Sequence, residues 1–313
     1  MLAKASIKNT SRKRVFLYYN SIMNIAIITG GTSSEREVSL SSARTTQQLL
    51  DIPDSCIFDY PNDLDRLQES IGRIDTVIPM IHGVGGEDGE VSRLLETMCL
   101  PYIFSLPASH AQALDKTTAK QLVSQNGITV AREYTHGQLL DRSCFVKPRS
   151  GGSSIDTCVV ENNQELDAFI TTSSEIDFLI EEKITGREFT VGVIEKNGKV
   201  EALPVVEIIS DTDFFDYESK YNKEKLASEI CPAHISKALA AEMKRQAIVC
   251  HEELDCRHLS RTDFMMADEG TIYFLETNTI PGMTATSLIP KMVHAAGYDL
   301  KDLFMEWIRE AQN

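Results

Sequence analysis

The sequence predicts a mixed α/β fold, with α+β elements, whose N-terminal part is a doubly wound parallel sheet domain. Near the N-terminus, the buried-type strand NIAIIT at 24–29 runs into a Gly/Ser-rich loop and then a helix, the order that opens such a domain. A second buried strand, at 74–80, also ends in a glycine-rich loop. Near the C-terminus, strands at 261–267 and 271–277 predict a hairpin, because turn residues separate them.

The composition is that of an ordinary globular protein with an excess of acid. The chain has 313 residues, 42% hydrophobic and 25% charged, enough for two or three domains. A formal net charge of −15 argues against nucleic acid or an anionic membrane as a main partner. The seven cysteines lack CxxC spacing, and no apolar run approaches the ~20 residues of a membrane span. We therefore expect a cytoplasmic protein with reduced thiols.

Residues 1–22 differ from the rest of the chain. They carry five Lys or Arg residues and no acid, followed by an apolar run that breaks at Asn20. That run is too short for a signal peptide, and no small-residue cleavage site follows it. A transit peptide fits the composition loosely. A start codon assigned too early fits better, because Met23 directly precedes the first strand. We therefore expect residues 1–22 to be a disordered or non-native extension.

Both N-terminal glycine loops are candidate ligand sites. The loop at 30–34 precedes a helix N-terminus that could hold a carboxylate or phosphate, although simple capping by Ser33 or Ser34 explains its composition equally well. It lacks the GxGxxG pattern, so we infer no dinucleotide. His82 ends the second strand and is followed by four glycines within seven residues. A lone histidine is usually structural, but strand ends beside such loops bind ligands, which favours binding by His82.

The middle of the chain carries lysines placed to contact phosphates. A predicted helix at 108–126 contains Lys116, and the strand at 144–147 ends in Lys147 beside a Gly/Ser-rich loop. A lysine beside such a loop is typical of a lid over phosphates, although the P-loop order GxxxxGK[ST] is absent. The next strands, at 178–184 and 187–194, carry Glu181 and Glu188, which could hold a nucleoside at a sheet edge. As isolated glutamates they would be surface residues.

The C-terminal hairpin predicts a metal site. Glu276 and Asn278 point to the same side of their strand. With a two-residue turn at 269–270, Asp263 pairs opposite Glu276, unless the register slips by one. Three oxygen-bearing side chains suit Mg²⁺, which often bridges substrate phosphates, whereas a hairpin with solvated acids is the plainer alternative. The turn at 281–284 then frees a backbone N–H beside the metal.

Eight motifs, in this order, resemble those of the D-alanine:D-alanine ligases of the ATP-grasp superfamily. They are GGTSSEREVSL, HGVGGEDG, LDK, VKPRSGGSS, FLIEEKITGREFTV, FFDYESKY, SRTDF and FLETNTIPGMTATSLIP, and the resemblance runs from Met23 essentially to the C-terminus. Each motif is weak alone, but the ordered set is specific. The resemblance implies a three-domain ATP-grasp architecture, here at 23–105, 106–185 and 186–313, with ATP between two sheets of the central and C-terminal domains.

The resemblance also implies the nucleotide and metal site. Its residues are the phosphate lysines Lys116, Lys147 and Lys220, the adenine–ribose pair Glu181 and Glu188, and the metal ligands Asp263, Glu276 and Asn278. ATP and two Mg²⁺ ions, for which Mn²⁺ can substitute, are therefore the expected cofactors.

The resemblance also implies roles for eight further residues, in binding the amino-acid substrates and in their reaction. They are Arg261 and the Gly282 N–H for the tetrahedral intermediate, Ser287 and Leu288 for the second substrate's carboxylate, Glu35 and His82 beside the first D-alanine, and Ser153 and Tyr221, which with Glu35 form a triad that closes the lid.

The implied reaction is the ATP-dependent ligation of two D-alanines through a D-alanyl phosphate, for peptidoglycan precursors, by a homodimer. A ligase that takes D-lactate or D-serine second is the alternative, although Tyr221 accompanies dipeptide formation in the family. A catalytically silent nucleotide-binding protein would require a broken metal or phosphate set, and both sets are intact.

The chain departs from the family pattern at four places. Asp156 and His258 stand where the family usually has glycine, Phe215 replaces a frequent tyrosine of the lid, and the stretch at 127–145 looks short. We expect Asp156 to affect the mobility of the glycine loop, and we expect His258 to affect the packing beside the metal hairpin.

Overall fold

The computed structural model describes residues 23–151, 156–172, 176–209 and 228–312. The predicted extension at 1–22 lies outside these residues. The described part of the chain contains both helices and strands, and its strands form three sheets of three, seven and four strands. The mixed α/β prediction is thus confirmed.

The N-terminal sheet is parallel and has the order β2-β1-β3. Its strands are β1 (Ile25–Gly30), β2 (Ile57–Tyr60) and β3 (Thr76–Pro79). The helices of this region are α1 (Arg36–Leu50), α2 (Leu64–Ser70) and α3 (Glu90–Thr97). All six residues of β1 are buried, because a central parallel strand is covered on both faces. The predicted strand, glycine loop and helix at the start of the domain are confirmed.

Two helices, not one, follow this sheet, so the predicted single helix at 108–126 is wrong. They are α4 (Pro107–Leu114) and α5 (Lys116–Ser124). Asp115 separates them because it leaves the helical conformation and its side chain accepts the Thr118 N–H at 2.8 Å, as an N-cap does. Lys116 consequently begins a helix instead of lying in the middle of one.

The central sheet is antiparallel and has the order β5-β8-β6-β7. Its strands are β5 (Glu133–Tyr134), β6 (Cys144–Pro148), β7 (Cys158–Val160) and β8 (Phe178–Glu182), and helix α6 (Asn163–Thr172) packs with them. Asp156 precedes β7 with a φ of +54°, which aspartate tolerates better than most residues.

The largest sheet has the order β12-β11-β9-β13-β14-β4, and β10 also pairs with β9. Its strands are β4 (Thr129–Val130), β9 (Gly186–Lys196), β10 (Lys199–Ala202), β11 (Val206–Ile209), β12 (Ser228–Ile230), β13 (Leu259–Ala267) and β14 (Ile272–Asn278). Helix α7 (Lys237–Glu253) packs against β9 and β13. The two strands predicted at 178–194 therefore belong to different sheets.

The two ends of the described chain share one hydrophobic core. Helices α8 (Leu288–Ala295) and α9 (Leu300–Ala311) pack against buried residues of β1 and β3. Trp307 of α9 is fully buried, its indole N–H donates to the Glu195 carbonyl at 2.7 Å, and Phe104 and Phe304 lie against its ring. Among the described helices, none has the length and apolar character needed to cross a membrane.

His258 and Arg257 join the N-terminal region to β13. The guanidinium of Arg257 donates to the carbonyls of Tyr102 and Phe104, both at 2.8 Å. His258 has a φ of +67°, its Nδ1 accepts the Phe104 N–H at 3.0 Å, and its ring stacks on Trp307. The side chain that replaces the family's glycine thus fills the interface beside the hairpin.

Candidate active site

Asp263 pairs opposite Glu276, as predicted, but the local geometry differs from the prediction. The loop contains three residues, 268–270, because the Ala267 N–H donates to the Thr271 carbonyl and the Gly270 N–H to the Ala267 carbonyl. A bulge between the Phe264 and Asp263 pairs then offsets the longer loop. The predicted two-residue turn is wrong, and the predicted pair is right.

The bulge also decides which way the acidic end of the hairpin faces. Ile272 and Phe274 of β14 are buried, whereas Leu275 and Glu276 are both partly exposed, so the alternation of faces breaks at this point. Without the extra residue, Glu276 and Asn278 would share the buried face of Phe274. Bulges commonly re-aim side chains beside functional sites, and this one turns two predicted metal ligands out of the core.

The Asp263 carboxylate is held by three neighbouring side chains. Arg261 donates to both of its oxygens, at 3.0 and 2.9 Å, and the Asn278 amide donates at 3.2 Å. Thr190 on β9 adds a hydrogen bond of 2.5 Å. Burial would lower the pKa of Arg261, but the charge of Asp263 and the hydrogen bonds to it raise that pKa above its ordinary value. Arg261 therefore stays a cation fixed beside the acids.

Lys116 brings a second cation to the same acids. Its Nζ lies 3.3 Å from Glu276 Oε2 and donates to the Gly151 carbonyl at 2.5 Å. The side chain is almost fully buried, because α5 begins under the hairpin. An open cleft lies here, lined among others by Glu87, Lys116, Glu276 and Asn278. The structure thus brings the predicted metal ligands and one predicted phosphate lysine together.

Lys147 and Glu181 also lie together, but Glu181 is not a surface residue. Its side chain is only 5% exposed, its Oε2 lies 2.7 Å from the Lys147 Nζ, and its Oε1 contacts the Nζ of Lys120. Burial alone would raise the pKa of Glu181, but the charges of Lys147 and Lys120 lower it. Glu181 therefore does not take the surface position typical of an isolated glutamate, because two cations compensate the buried carboxylate.

Lys120 is a residue that the sequence analysis missed. Its side chain is 3% exposed, and its Nζ also donates to the Ala131 carbonyl and contacts Glu133, both at 2.8 Å. A lysine four residues after Lys116 on one helix was the available signal, since positions i and i+4 share a face. Glu188, by contrast, lies on β9, in a different sheet from Glu181.

The predicted substrate residue His82 is buried and has both ring nitrogens engaged. Its Nδ1 lies 2.7 Å from the Ile280 carbonyl oxygen, and its Nε2 lies 3.0 Å from Ser42 Oγ. Burial lowers the pKa of His82 to about 4, so the ring is neutral near pH 7. Glu35 belongs to the same region, because a Cβ on Gly83 would come within 2.6 Å of its carboxylate.

Glu87 is a further group that the sequence analysis left without a role. Its two carboxylate oxygens accept the N–H groups of Gly83 and Ile280, at 2.9 and 3.0 Å. Burial and, after it, the charge of Glu35 raise the pKa of Glu87 to about 7. Glu87 lies in the second glycine loop, so this carboxylate ties that loop to the segment after β14.

Gly282, Ser287 and Leu288 cluster at the beginning of α8. A Cβ on Gly282 would come within 2.9 Å of Ser287 Oγ, and that hydroxyl accepts the Thr284 N–H at 3.0 Å. Ser287 is the N-cap position and Leu288 the first residue of the helix. The positive end of a helix dipole beside a hydroxyl suits a carboxylate ligand. Three predicted residues, Ser153, Lys220 and Tyr221, lie outside the described part of the chain, as does Phe215.

A second group of potential metal ligands is explained by packing. Glu195, His258 and Glu310 have ligand atoms within 4.8 Å of one another. The Nδ1 of His258 accepts a backbone N–H, so the neutral ring carries its proton on Nε2, the atom that faces Glu310. A histidine that ligates a metal instead donates through its other nitrogen. This group therefore does not suit a metal.

Comparison with known proteins identifies ligases that resemble this chain. The family model described as D-ala D-ala ligase C-terminus matches residues 118–309. A D-alanine–D-alanine ligase of Desulfotalea psychrophila is 38% identical over 299 residues, which are 90% of this chain and 92% of that protein.

Two solved structures have the same fold. The ATP complex of a D-alanine–D-alanine ligase from Bacillus anthracis aligns with a TM-score of 0.77 and 29% identity, covering 93% of this chain and 98% of that one. The VanG D-Ala:D-Ser ligase of Enterococcus faecalis aligns with a TM-score of 0.75 and 27% identity, covering 93% and 99%.

Proposed function

The chain belongs to the D-alanine–D-alanine ligase family, and on that premise we propose that it joins two D-alanines with ATP through a D-alanyl phosphate. One observation carries the proposal: Lys116 lies 3.3 Å from Glu276, on the face that Asp263 and Asn278 share. Cations and oxygen ligands thus converge on one cleft, as a reaction between ATP and a carboxylate requires, because these two anions repel each other.

Asp263, Glu276 and Asn278 would hold Mg²⁺ in this cleft. All three offer oxygen atoms, no thiolate or imidazole lies among them, and the bulge turns the last two toward the partly exposed face. This donor set fits the preference of Mg²⁺ for oxygen. Bound there, the metal would neutralise the charge on the phosphates. Lys116 and Lys147 would contact those phosphates as fixed cations, and Glu181 would serve the adenine–ribose end with Glu188.

In the first step, a carboxylate oxygen of the first D-alanine would attack the γ-phosphorus of ATP. The bond from that phosphorus to the β–γ bridging oxygen breaks, ADP leaves, and D-alanyl phosphate forms. Glu35 would face the ammonium group of this substrate. Water would hydrolyse the acyl phosphate, so a closed site is needed; the proposed Glu35, Ser153 and Tyr221 triad and Lys220 would supply that closure.

In the second step, the amine of the second D-alanine would attack the acyl carbon. The carbonyl oxygen becomes an oxyanion, and the Gly282 N–H and the Arg261 guanidinium would stabilise it as preorganised donors. The carbon–oxygen bond to phosphate then breaks, phosphate leaves, and the amine nitrogen loses its proton. Ser287, Leu288 and the N-terminus of α8 would hold the carboxylate of this second substrate.

D-serine in the second position is the other candidate, because the similar solved structures include a D-Ala:D-Ser ligase. The curated relative at 38% identity is a D-alanine–D-alanine ligase, and this favours D-alanine. All seven cysteines are free thiols, which supports a reducing compartment. The free thiols support our proposal that the protein acts in the cytoplasm. The family resemblance supports the proposal that it is a homodimer that acts in the synthesis of peptidoglycan precursors.

The test is release of phosphate from ATP in the presence of D-alanine, with the dipeptide measured by mass spectrometry. D-alanine should stimulate release strongly, L-alanine should not, and chelation of Mg²⁺ should stop it. A competition between D-alanine, D-serine and D-lactate identifies the second substrate. Phosphate release that is independent of every D-amino acid would contradict the proposal.

A further inference from the structure

Ser42 lies on α1 and is fully buried, yet its hydroxyl bonds outside its own helix. A buried serine within a helix commonly bonds back to the carbonyl four residues earlier. The Ser42 Oγ instead lies 3.0 Å from His82 Nε2 and 3.2 Å from the Met283 nitrogen. Met283 directly follows Gly282, so Ser42 connects α1 to the turn after the metal hairpin.

The direction of every proton in this network follows from its donors. The Met283 N–H can only donate, so Ser42 Oγ accepts it. The Ile280 carbonyl beside His82 Nδ1 can only accept, so Nδ1 carries the proton of the neutral ring, and the Ser42 hydroxyl donates to the unprotonated Nε2. The proton of the neutral ring is on Nδ1 and donates to the Ile280 carbonyl at 2.7 Å. One tautomer of His82 satisfies all four groups.

These bonds hold both ends of the turn at 280–283. At its start, the Ile280 carbonyl accepts from His82, and the Ile280 N–H donates to Glu87 at 3.0 Å. At its end, the Met283 N–H donates to Ser42. Proline at 281 has no N–H, and the Gly282 N–H has no hydrogen-bond partner within the described residues. Side chains of the N-terminal region therefore accept hydrogen bonds from the N–H groups of Ile280 and Met283. Among the described residues they leave only the Gly282 N–H, which is proposed to face the oxyanion.

We propose that Ser42 is a positioning residue for the ligation: its hydroxyl, shared between His82 and the Met283 N–H, keeps the Gly282 N–H in one orientation. The inference rests on the proposed role of Gly282 as an oxyanion donor. An oxyanion develops only as the bonds rearrange. A misoriented Gly282 N–H therefore reduces the stabilisation of the transition state more than it reduces the affinity for the nucleotide. Ser42 would therefore influence kcat much more than KM for ATP.

The test compares substitutions at two neighbouring serines in the full-length protein with ATP, Mg²⁺ and D-alanine. Ser42→Ala should lower kcat about tenfold or more, since losing a whole oxyanion donor costs about 10²–10³, and should leave KM for ATP within about twofold. Ser42→Cys keeps the volume with a weaker donor and acceptor and should be intermediate. Ser42→Thr retains the hydroxyl and should recover most of the activity.

Ser41→Ala is the matched control, because Ser41 is exposed on the same helix and should leave both constants unchanged. Melting temperatures show whether each variant is folded, and hydrogen exchange of the peptide containing Met283 should be faster in Ser42→Ala and unchanged in Ser41→Ala. If Ser42→Ala does not fold, the inference is tested by whether kcat is higher for Ser42→Thr than for Ser42→Cys.

Equal kcat for the Ser42→Ala and Ser41→Ala proteins would overturn this inference while leaving the proposed function intact. A parallel change of kcat and KM for ATP, or a Thr variant no better than Cys, would also overturn it. Absence of D-alanine-dependent turnover in the unsubstituted protein would instead overturn the proposed function.

Discussion

Asp263 and Glu276 lie directly opposite each other on β13 and β14, although three residues, not two, join these strands. The bulge at Leu275 restores the pair and turns the last residues of β14 away from the core. An acid cluster at the end of a buried strand thus depends on one extra residue. The candidate metal site is therefore a property of the bulged hairpin and not of its residue types alone.

Asn278→Ala should abolish most turnover while the protein remains folded. The substitution removes one proposed Mg²⁺ ligand and the amide that donates to Asp263, and loss of one electrostatic contact in a site costs about 10²–10³ in kcat. Steady-state rates across a magnesium titration measure the effect. Asn126→Ala, at an exposed position, is the control, and near-normal activity of Asn278→Ala with unchanged magnesium dependence would remove the hairpin from the mechanism.

Lys120→Met should weaken ATP binding and lower stability together. It leaves the buried Glu181 with one compensating cation, and breaking a buried ion pair costs about 3–5 kcal/mol. Calorimetric ATP affinity and the melting temperature are the two measurements, with the exposed Lys237→Met as control. Because the partners touch, Glu181→Gln should cost much less in the Lys120→Met background than alone. Additive losses would mean that Lys120 does not act through Glu181.

Tyr221→Phe should keep ATP turnover and raise D-lactate incorporation relative to D-alanine. The expectation rests on the family pattern, in which this tyrosine accompanies dipeptide formation. Loss of one hydrogen bond costs about 0.5–1.5 kcal/mol, enough to shift a choice between nucleophiles several-fold. The ratio of depsipeptide to dipeptide at equal acceptor concentrations, across pH, is the measurement. An unchanged ratio would leave D-alanine specificity without this support.

Stability should fall as the pH drops from 6.5 to 4.5. Burial lowers the pKa of His82 to about 4 and those of His110 and His258 to about 3, from an ordinary value of 6.5. The unfolded chain then binds more protons in this window, so unfolding becomes easier on acidification, by about 1.4 kcal/mol per histidine and pH unit. Glu87 has a raised pKa and is protonated in the folded state over the same pH range, so it offsets the destabilisation from about one of the three histidines.

Chemical denaturation at several pH values measures this slope. His258→Asn should be less stable at pH 7, since it loses the stacking on Trp307, but its stability should depend less steeply on pH. A slope equal to that of the unsubstituted protein would show that His258 does not remain neutral in the folded state.

Much of the site could be predicted because it depends on local order. Strand alternation places Glu276 and Asn278 on one face, and a lysine at the end of a strand was enough to suggest Lys147. The domain boundaries at 105/106 and 185/186 stay predictions. Contacts between distant parts of the chain could not be predicted. The spacing from Lys116 could have drawn attention to Lys120, but its partner Glu181 is evident only from the packing of α5 against β8. The role of Ser42 is likewise evident only from the packing of α1 against the turn after β14.

The misjudged helix and the buried position of Glu181 both have local physical causes. The predicted helix at 108–126 breaks because Asp115 prefers to cap α5 over continuing α4. An isolated carboxylate is rarely buried, and only its two lysine partners make the buried position of Glu181 tolerable. His258 replaces glycine in the left-handed region because its ring bonds and stacks across the interface.

The central claim is that this protein activates D-alanine as an acyl phosphate, and transfer of oxygen tests it most directly. D-alanine labelled with ¹⁸O in both carboxylate oxygens is supplied with ATP, and the released phosphate is analysed by mass spectrometry. The attacking oxygen stays with phosphorus when the amine displaces phosphate, so each turnover should deliver one ¹⁸O atom to the phosphate. Unlabelled phosphate released together with dipeptide would contradict the claim.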